Sequence, residues 1–224
     1  MSTATSNELP IGIFDSGVGG LTVLQAIRAA MPAEHLVYLG DTARLPYGTK
    51  SPVSIERYAT QAAAKLCEQG IKLLVVACNT ASAVALDALR AQLAPIPVVG
   101  VVQPGAAAAV AEIKGGSHLV LATEATVRLG AYREAILSLD PDAAVTEQAC
   151  EMLVALAEEG WVNDDIACSI VRRYLAASQL AAPDTIILGC THFPLLSGAI
   201  RDLSLIHISE PTRPVGISRM PSSA

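Results

Sequence analysis

Two cysteines stand in matching surroundings, each close behind an apolar run. Residues 73–80 read LLVVACNT and residues 185–192 read TIILGCTH, so that Cys78 and Cys190 each follow a small residue and precede polar side chains. Ligands of parallel α/β sheets bind beyond the carboxyl ends of the strands, where both thiols would lie. A helix that begins just after each cysteine would favour the thiolate, which is the reactive form. One such cysteine is usually a packing residue, whereas two in the same setting indicate paired chemistry.

Further polar candidates accompany the two cysteines. Asp15 opens a glycine-rich loop at residues 15–20 (DSGVGG), which follows an apolar run and precedes a helical pattern. The glycine spacing matches neither the dinucleotide-binding fingerprint nor the phosphate-binding loop. His192 could poise the neighbouring thiol or contact a substrate carboxylate. Glu158 falls on a helix that borders the same edge, where a solvated carboxylate is the more common role, and the loop at residues 45–49 (LPYGT) is by itself typical of a turn.

Composition argues against several functional classes. The 224 residues carry a net charge of −6 without a Lys/Arg-rich run, which gives no reason to expect a nucleic-acid partner. No apolar segment reaches the roughly 18 residues of a membrane span, and the polar N-terminus lacks the pattern of a secretory signal, so we expect a cytoplasmic protein. The five cysteines include no CxxC pair, and Cys67, Cys150 and Cys168 are expected to be packing residues. Metal, serine-hydrolase and pyridoxal chemistry lack their motifs.

The elements that must position these residues follow from the apolar periodicity. Apolar runs alternate with helical patterns, which predicts parallel βαβ units with helices on both faces of a sheet. The alternation runs twice, with a break near Pro95. We therefore predict an α/β fold of two pseudo-symmetric parallel-sheet domains with the active site between them. The predicted domains are residues 1–97 and 98–203, and residues 204–224 are predicted to be a non-native or disordered tail, because they lack helical periodicity.

Four segments together resemble the glutamate racemases of the aspartate/glutamate racemase family. They are residues 11–23 (IGIFDSGVGGLTV), 38–48 (YLGDTARLPYG), 76–82 (VACNTAS) and 188–196 (LGCTHFPLL). The combination in this order is specific, and the resemblance covers residues 9–203.

The resemblance implies a racemase that interconverts L- and D-glutamate without cofactor or metal. Cys78 and Cys190 match two thiols on opposite faces of the substrate α-carbon, one removing a proton as thiolate and the other delivering one as thiol. Asp15 matches the residue that assists Cys78, and His192 the residue that assists Cys190. The matching substrate-binding residues are Asp15, Ser16, Tyr47, Gly48, Asn79, Thr80, Thr126, Thr191 and His192, with Thr123 beside them and Glu158 near an acidic position of the family.

The family resemblance also implies a homodimer and a role in supplying D-glutamate for bacterial peptidoglycan. In the family the chain continues past the second cysteine motif and returns to the first domain, which residues 204–224 do not resemble, so we expect a truncated or misread C-terminus. Three alternatives remain. The chain could be another racemase of the superfamily, acting for example on aspartate, or a truncated, inactive relative that binds ligand. A thiol redox protein is the third, and the absence of CxxC argues against it.

Overall fold

The structure, a computed structural model, describes residues 8–178, 182–204 and 207–209. Strands and helices alternate along this part of the chain. The strands are β1 (Ile11–Asp15), β2 (Leu36–Gly40), β3 (Leu73–Val76), β4 (Val98–Gly100), β5 (Ser117–Ala122), β6 (Ala144–Ala149), β7 (Thr185–Gly189) and β8 (His207–Ser209). The helices are α1 (Leu21–Ala30), α2 (Pro52–Cys67), α3 (Asn79–Leu93), α4 (Val102–Glu112), α5 (Glu124–Leu129), α6 (Ala131–Leu139), α7 (Glu151–Glu158), α8 (Asp165–Ala177) and α9 (Ser197–Ser204). Short 3₁₀ helices occupy Tyr47–Thr49 and Phe193–Leu196.

Within the described residues, the strands form two four-stranded sheets that share one strand order. The order is β2-β1-β3-β4 in the first sheet and β6-β5-β7-β8 in the second. All neighbouring strands are parallel, and parallel neighbours need crossover connections, which the helices supply. The predicted α/β fold with two parallel sheets is confirmed.

Helices cover both faces of the first sheet, because successive side chains of a strand point to opposite faces. Leu74 and Val76 of β3 pack in one hydrophobic core with Ile55 of α2. Val75, which lies between them, packs in another core with Val23 of α1. The unbroken apolar run of β3 is therefore that of a strand buried on both faces.

The second sheet repeats this arrangement. Ile186 and Leu188 of β7 pack in a core with Leu153 of α7. Ile187 points to the other face and packs in a core with Tyr132 of α6. The two sheets thus place β3 and β7, the strands that precede the two cysteines of interest, in equivalent central positions.

The remaining cysteines pack in these cores. Cys150 is buried in the core of the second sheet, against which the partly buried Cys168 also packs. Cys67 is partly buried and packs against the core of the first sheet. All cysteines of the chain are free thiols.

The strand β4 belongs to the first sheet, which differs from the predicted division between residues 97 and 98. Val98, Val99 and Gly100 pair in register with residues 74–76 of β3. The apolar run alone is compatible with either sheet, and only the backbone hydrogen bonds to β3 assign it. The crossing to the second sheet therefore comes after β4 and includes α4, which packs against α6.

A glycine divides the single helix that the periodicity of residues 126–139 predicts. Gly130 adopts a left-handed backbone with φ of 63°, which ends α5 and begins α6 in a new direction. Such a backbone is easily reached only by glycine. The change of direction brings Tyr132 of α6 into the interior, where it is completely buried.

Part of the predicted tail is ordered. Ser204 is the last residue of α9, and residues 207–209 form β8, which extends the second sheet beside β7. Strand pairing uses backbone groups, which composition does not reveal. Residues 205–206 and 210–224 of the predicted tail lie outside the described residues.

Across the part of the chain that the structure describes, no helix combines the length and apolar character needed to cross a bilayer.

Candidate active site

The carboxyl ends of three central strands deliver the predicted site residues to one place. Asp15 is the last residue of β1, Cys78 lies two residues beyond β3, and Cys190 directly succeeds β7. Side chains from both sheets enclose a cavity of about 20 Å³. Its lining residues are Ser16, Pro46, Tyr47, Gly48, Cys78, Asn79, Thr80, Thr123, Val154, Cys190, Thr191 and His192. Of the predicted site residues, Asp15 and Thr126 lie behind this lining.

Cys78 is held at the beginning of α3. Its Sγ accepts a hydrogen bond from the backbone N–H of Ala81 (3.4 Å), and its thiol donates to the hydroxyl oxygen of Ser16 (3.4 Å). Burial, followed by the negative charge of Asp15, raises the pKa of Cys78 to about 11 although these hydrogen bonds lower it. The helix start alone predicts a thiolate, whereas desolvation by burial outweighs it.

Cys190 differs from Cys78 in its position relative to the next helix. The residues after Cys190 form the 3₁₀ helix Phe193–Leu196 before α9 begins, so no α-helix starts directly behind this thiol. Burial raises the pKa of Cys190 above its ordinary value, and the charge of Cys78 adds to this effect. The expected stabilisation of a thiolate by a helix start is therefore wrong for Cys190. A hydrogen bond from the backbone of His192 acts in the opposite direction.

The imidazole of His192 joins Cys190 to an acidic side chain. Nδ1 lies 3.7 Å from the Sγ of Cys190, and Nε2 pairs with Oε1 of Glu158 at the end of α7. Glu158 is partly exposed, while His192 is buried. The arrangement fixes the ring so that one nitrogen faces the thiol and the other faces the carboxylate.

Asp15 connects the glycine-rich loop to the second sheet. Its carboxylate accepts hydrogen bonds from the N–H of Gly17 (2.9 Å) and from the hydroxyl of Thr191 (3.3 Å). Burial raises the pKa of Asp15, which these hydrogen bonds partly offset. The described hydrogen bonds of Cys78 involve Ser16 and Ala81, whereas the influence of Asp15 on this thiol is one of charge.

Three buried threonine hydroxyls form a closed triangle between the two sheets. Thr80 lies 2.9 Å from Thr123 and 3.2 Å from Thr126, and the last two are 3.0 Å apart. Thr80 comes from α3, whereas the other two come from the segment after β5. Thr80 and Thr123 line the cavity, whereas Thr126 does not and is connected to it only by its hydrogen bonds to those two residues.

The loop with Tyr47 and Gly48 closes one side of the cavity. The hydroxyl of Tyr47 donates to Asp41 (2.7 Å), and burial, then this hydrogen bond, raises the pKa of that phenol. A Cβ added to Gly48 would lie 2.6 Å from the Cβ of Thr123, so the glycine permits the loop to approach the second sheet. Both predicted residues therefore border the cavity, with the hydroxyl of Tyr47 engaged by Asp41.

Sequence reasoning missed two tyrosines that hold site residues in place. Tyr38 donates to the carbonyl of Gly17 in the glycine-rich loop (2.7 Å), and Tyr132 donates to Oδ1 of Asn79 (2.6 Å). Tyr38 lies within a segment that resembles the racemases, which was the available signal. Tyr132 stands between Ala131 and Arg133 in a helix, and no feature of the sequence distinguishes it.

A larger cleft of about 560 Å³ lies elsewhere, among α3, β4, α4 and α6. Its lining includes Asp87, Arg90 and Glu134, and none of the predicted site residues. Within residues 8–178, 182–204 and 207–209, no group of three or more His, Cys, Asp or Glu side chains is placed to hold a metal ion.

Known proteins share this sequence pattern and fold. The family model described as Asp/Glu/hydantoin racemase matches residues 11–213. The chain belongs to this racemase family. A glutamate racemase of Geobacter metallireducens is 50% identical over 207 residues, which are 90% of this chain and 76% of that relative.

Solved structures of racemases agree with the architecture. The glutamate racemase of Francisella tularensis, in complex with D-glutamate, superposes with a TM-score of 0.87 at 35% identity, covering 92% of this chain and 77% of that one. The Escherichia coli glutamate racemase, in complex with L-glutamate and an activator, gives a TM-score of 0.76 at 33% identity, covering 92% of this chain and 80% of that one.

Proposed function

We propose that this racemase interconverts L- and D-glutamate, with Cys78 and Cys190 as the two acid/base catalysts. The observation that carries the proposal is that each sheet contributes one of these thiols to the same small cavity. The glutamate racemase of Geobacter metallireducens, identical at half of the aligned positions, supports glutamate as the substrate.

The two thiols alone can supply and accept the protons that the reaction requires. For one direction, Cys78 as thiolate removes the α-proton and becomes a thiol, leaving a carbanion conjugated with the carboxylate. Cys190 as thiol delivers its proton to the opposite face and becomes a thiolate. The reverse direction exchanges the two roles, so the enzyme needs one thiol ionised and one protonated at the beginning of each turnover. Proton exchange with solvent after product release returns the two thiols to their starting states.

The ionised thiol depends on the substrate, because burial raises both cysteine pKa values. A bound amino acid carries an ammonium group, and a positive charge beside a thiol lowers its pKa. The hydroxyls and amides of the cavity are donors for the carboxylates of glutamate and for the charge that develops on the α-carboxylate. These donors include Ser16, Asn79, Thr80 and Thr191.

Glutamate requires the two sheets to separate before it binds. The cavity of about 20 Å³ has room for about one water molecule and is far too small for glutamate. The hydrogen bond between Asp15 and Thr191 and the contacts of Thr80 with Thr123 and Thr126 cross between the sheets. We infer that these contacts open to admit the amino acid and that closure around it excludes water.

The cellular setting is part of the same proposal. An enzyme that makes D-glutamate supplies peptidoglycan synthesis in the cytoplasm, and the family resemblance suggests a homodimer. Sedimentation at several protein concentrations would test the oligomeric state.

Chiral chromatography tests the reaction. The protein is incubated separately with L-glutamate, D-glutamate and L-aspartate, and we expect both glutamate enantiomers to converge on an equal mixture while aspartate remains unchanged. Racemisation of aspartate but not of glutamate would refute the proposed substrate. A folded protein that racemises neither amino acid would refute the proposed activity.

A further inference from the structure

One buried donor in the cavity wall lacks a partner. Within the described part of the chain, Nδ2 of Asn79 is buried and makes no hydrogen bond, although Asn79 is only 2% exposed and lines the cavity beside Cys78. A buried amide N–H without an acceptor is uncommon in proteins. An acceptor that arrives with a ligand would satisfy it.

The other half of the same amide is held from the opposite sheet. The hydroxyl of Tyr132 donates to Oδ1 of Asn79 at 2.6 Å. An asparagine amide is planar, so that a partner held at its oxygen determines where its nitrogen points. Tyr132 is completely buried, and burial raises its pKa, so it stays a neutral phenol and a donor.

Two glycines leave room for the ring of Tyr132. A Cβ added to Gly105 of α4 would lie 3.1 Å from Cε1 of the ring, and one added to Gly189 would lie 3.0 Å from Cε2. Gly189 directly precedes Cys190, and Asn79 directly succeeds Cys78. One side chain therefore packs against the backbone next to one thiol and binds the side chain next to the other.

We propose that Tyr132 is a positioning residue, which orients the amide of Asn79 so that Nδ2 donates a hydrogen bond to a carboxylate of the bound amino acid. The carboxylate, an acceptor only, is the ligand group that this nitrogen fits. The choice of an amino acid rests on the proposed function, whereas the orientation of the amide does not.

The orientation is measured first in the wild-type protein by nitrogen-15 NMR, with the Asn79 side-chain signals assigned by their loss in Asn79→Ala. Because Oδ1 faces the hydroxyl of Tyr132, we expect the distances from the Nδ2 protons to the ring of Tyr132, taken from nuclear Overhauser build-up rates, to exceed those of a flipped amide. Distances that fit only the flipped amide would overturn the proposal. This readout is independent of catalysis and of the folding of any Tyr132 variant.

Kinetics then test the consequence in Tyr132→Phe, Asn79→Ala and the double variant. We expect Tyr132→Phe to raise KM for glutamate by about tenfold, the effect of one hydrogen bond to a charged group, and to add nothing further in the Asn79→Ala background. A purely structural role would lower the fraction of active enzyme, hence kcat, and leave KM unchanged. An unchanged KM, or an equal further increase in the double variant, would overturn the proposal.

Tyr174→Phe is the matched control. Tyr174 belongs to the same half of the molecule, and its hydroxyl accepts one hydrogen bond from the N–H of Met152. We expect this variant to keep the wild-type KM. If the wild-type enzyme leaves glutamate unchanged, the proposed function fails, and the NMR measurement still decides the orientation of Asn79.

Discussion

The Nε2 atom of His192 pairs with the carboxylate of Glu158, while the Nδ1 atom of the same ring faces the thiol of Cys190. Glu158 comes from α7 and His192 from the segment after β7, so the contact depends on the packing of that helix against the second sheet. The contact holds the ring so that Nδ1 stays beside the thiol, where the imidazole can exchange a proton with Cys190.

Replacing Glu158 should slow proton transfer by Cys190. In Glu158→Gln the ring keeps a hydrogen-bond partner but loses the negative charge, and we expect kcat to fall about tenfold. Glu159→Gln removes the same charge from the exposed neighbouring position and should leave kcat unchanged. Steady-state kinetics in both reaction directions make the comparison, and equal kcat values for the two variants would show that the ion pair has no role in proton transfer.

The glycine-rich loop should tolerate a methyl group at one position and not at another. A Cβ at Gly19 would lie 2.6 Å from Oγ1 of Thr191 and 2.8 Å from Nδ1 of His192, whereas one at Gly17 would have ordinary contacts, with Leu45 at 3.6 Å. We expect Gly19→Ala to lose more than about tenfold in kcat/KM, since catalytic geometry fails with small displacements. Gly17→Ala should lose far less, and the reverse order in a racemisation assay would contradict the described approach of the loop.

Two hydroxyls of the threonine triangle should have different roles: that of Thr126 supports the fold, and that of Thr123 binds the substrate. Thr126→Val removes a hydroxyl that is completely buried behind the cavity, which should lower the free energy of unfolding by about 1 kcal/mol and change KM little. Thr123→Val removes a hydroxyl that lines the cavity and should raise KM. Urea unfolding and kinetics on both variants test this, and a larger KM effect for Thr126→Val would place that hydroxyl against the substrate.

The buried thiol of Cys78 should lower the free energy of unfolding as the pH becomes alkaline. Burial raises its pKa from the ordinary 9.0 to about 11, so the folded state binds a proton that the unfolded state loses between these values. The contribution is fully present below pH 9 and is lost as the pH rises through about 11, which amounts to ~3 kcal/mol. The free energy of unfolding from urea titrations at pH 8 and pH 10.5 should therefore fall less in Cys78→Ser than in the wild type.

Cys168→Ser is the control for that measurement, since this partly buried thiol lies away from the cavity. It should retain the wild-type pH dependence. A Cys78→Ser protein with the same alkaline loss as the wild type would mean that the thiol ionises freely in the folded protein.

Strand ends and turn residues made much of the site predictable. Cys78 and Cys190 come after buried strands, and ligands of parallel sheets bind beyond the carboxyl ends of such strands. The glycine spacing predicted the loop after β1. It did not predict that Gly19 lies close to His192, because that approach depends on how the two sheets face each other. Contacts between distant segments of this kind carry no local periodicity.

There is a physical reason why the role of Tyr132 could not be predicted from the sequence. Its position on α6 depends on the left-handed turn at Gly130, and the periodicity of the surrounding residues continues through that turn as if one helix were present. The thiol pKa values were also misjudged, because a helix start is visible in a sequence and the depth of burial, which outweighs it, is not. Likewise, only the hydrogen bonds to β3 assign β4 to the first sheet.

The most direct test of the central claim, that Cys78 and Cys190 act on opposite faces of the α-carbon, is proton NMR of L-glutamate in D₂O with the enzyme first equilibrated in that solvent. At early times, with the enantiomers separated, the two-thiol mechanism predicts that the D-glutamate formed carries deuterium at the α-carbon while the remaining L-glutamate keeps its proton. Cys78→Ser and Cys190→Ser should each abolish this conversion. D-glutamate that retains the original proton, or conversion that survives either substitution, would contradict the assignment.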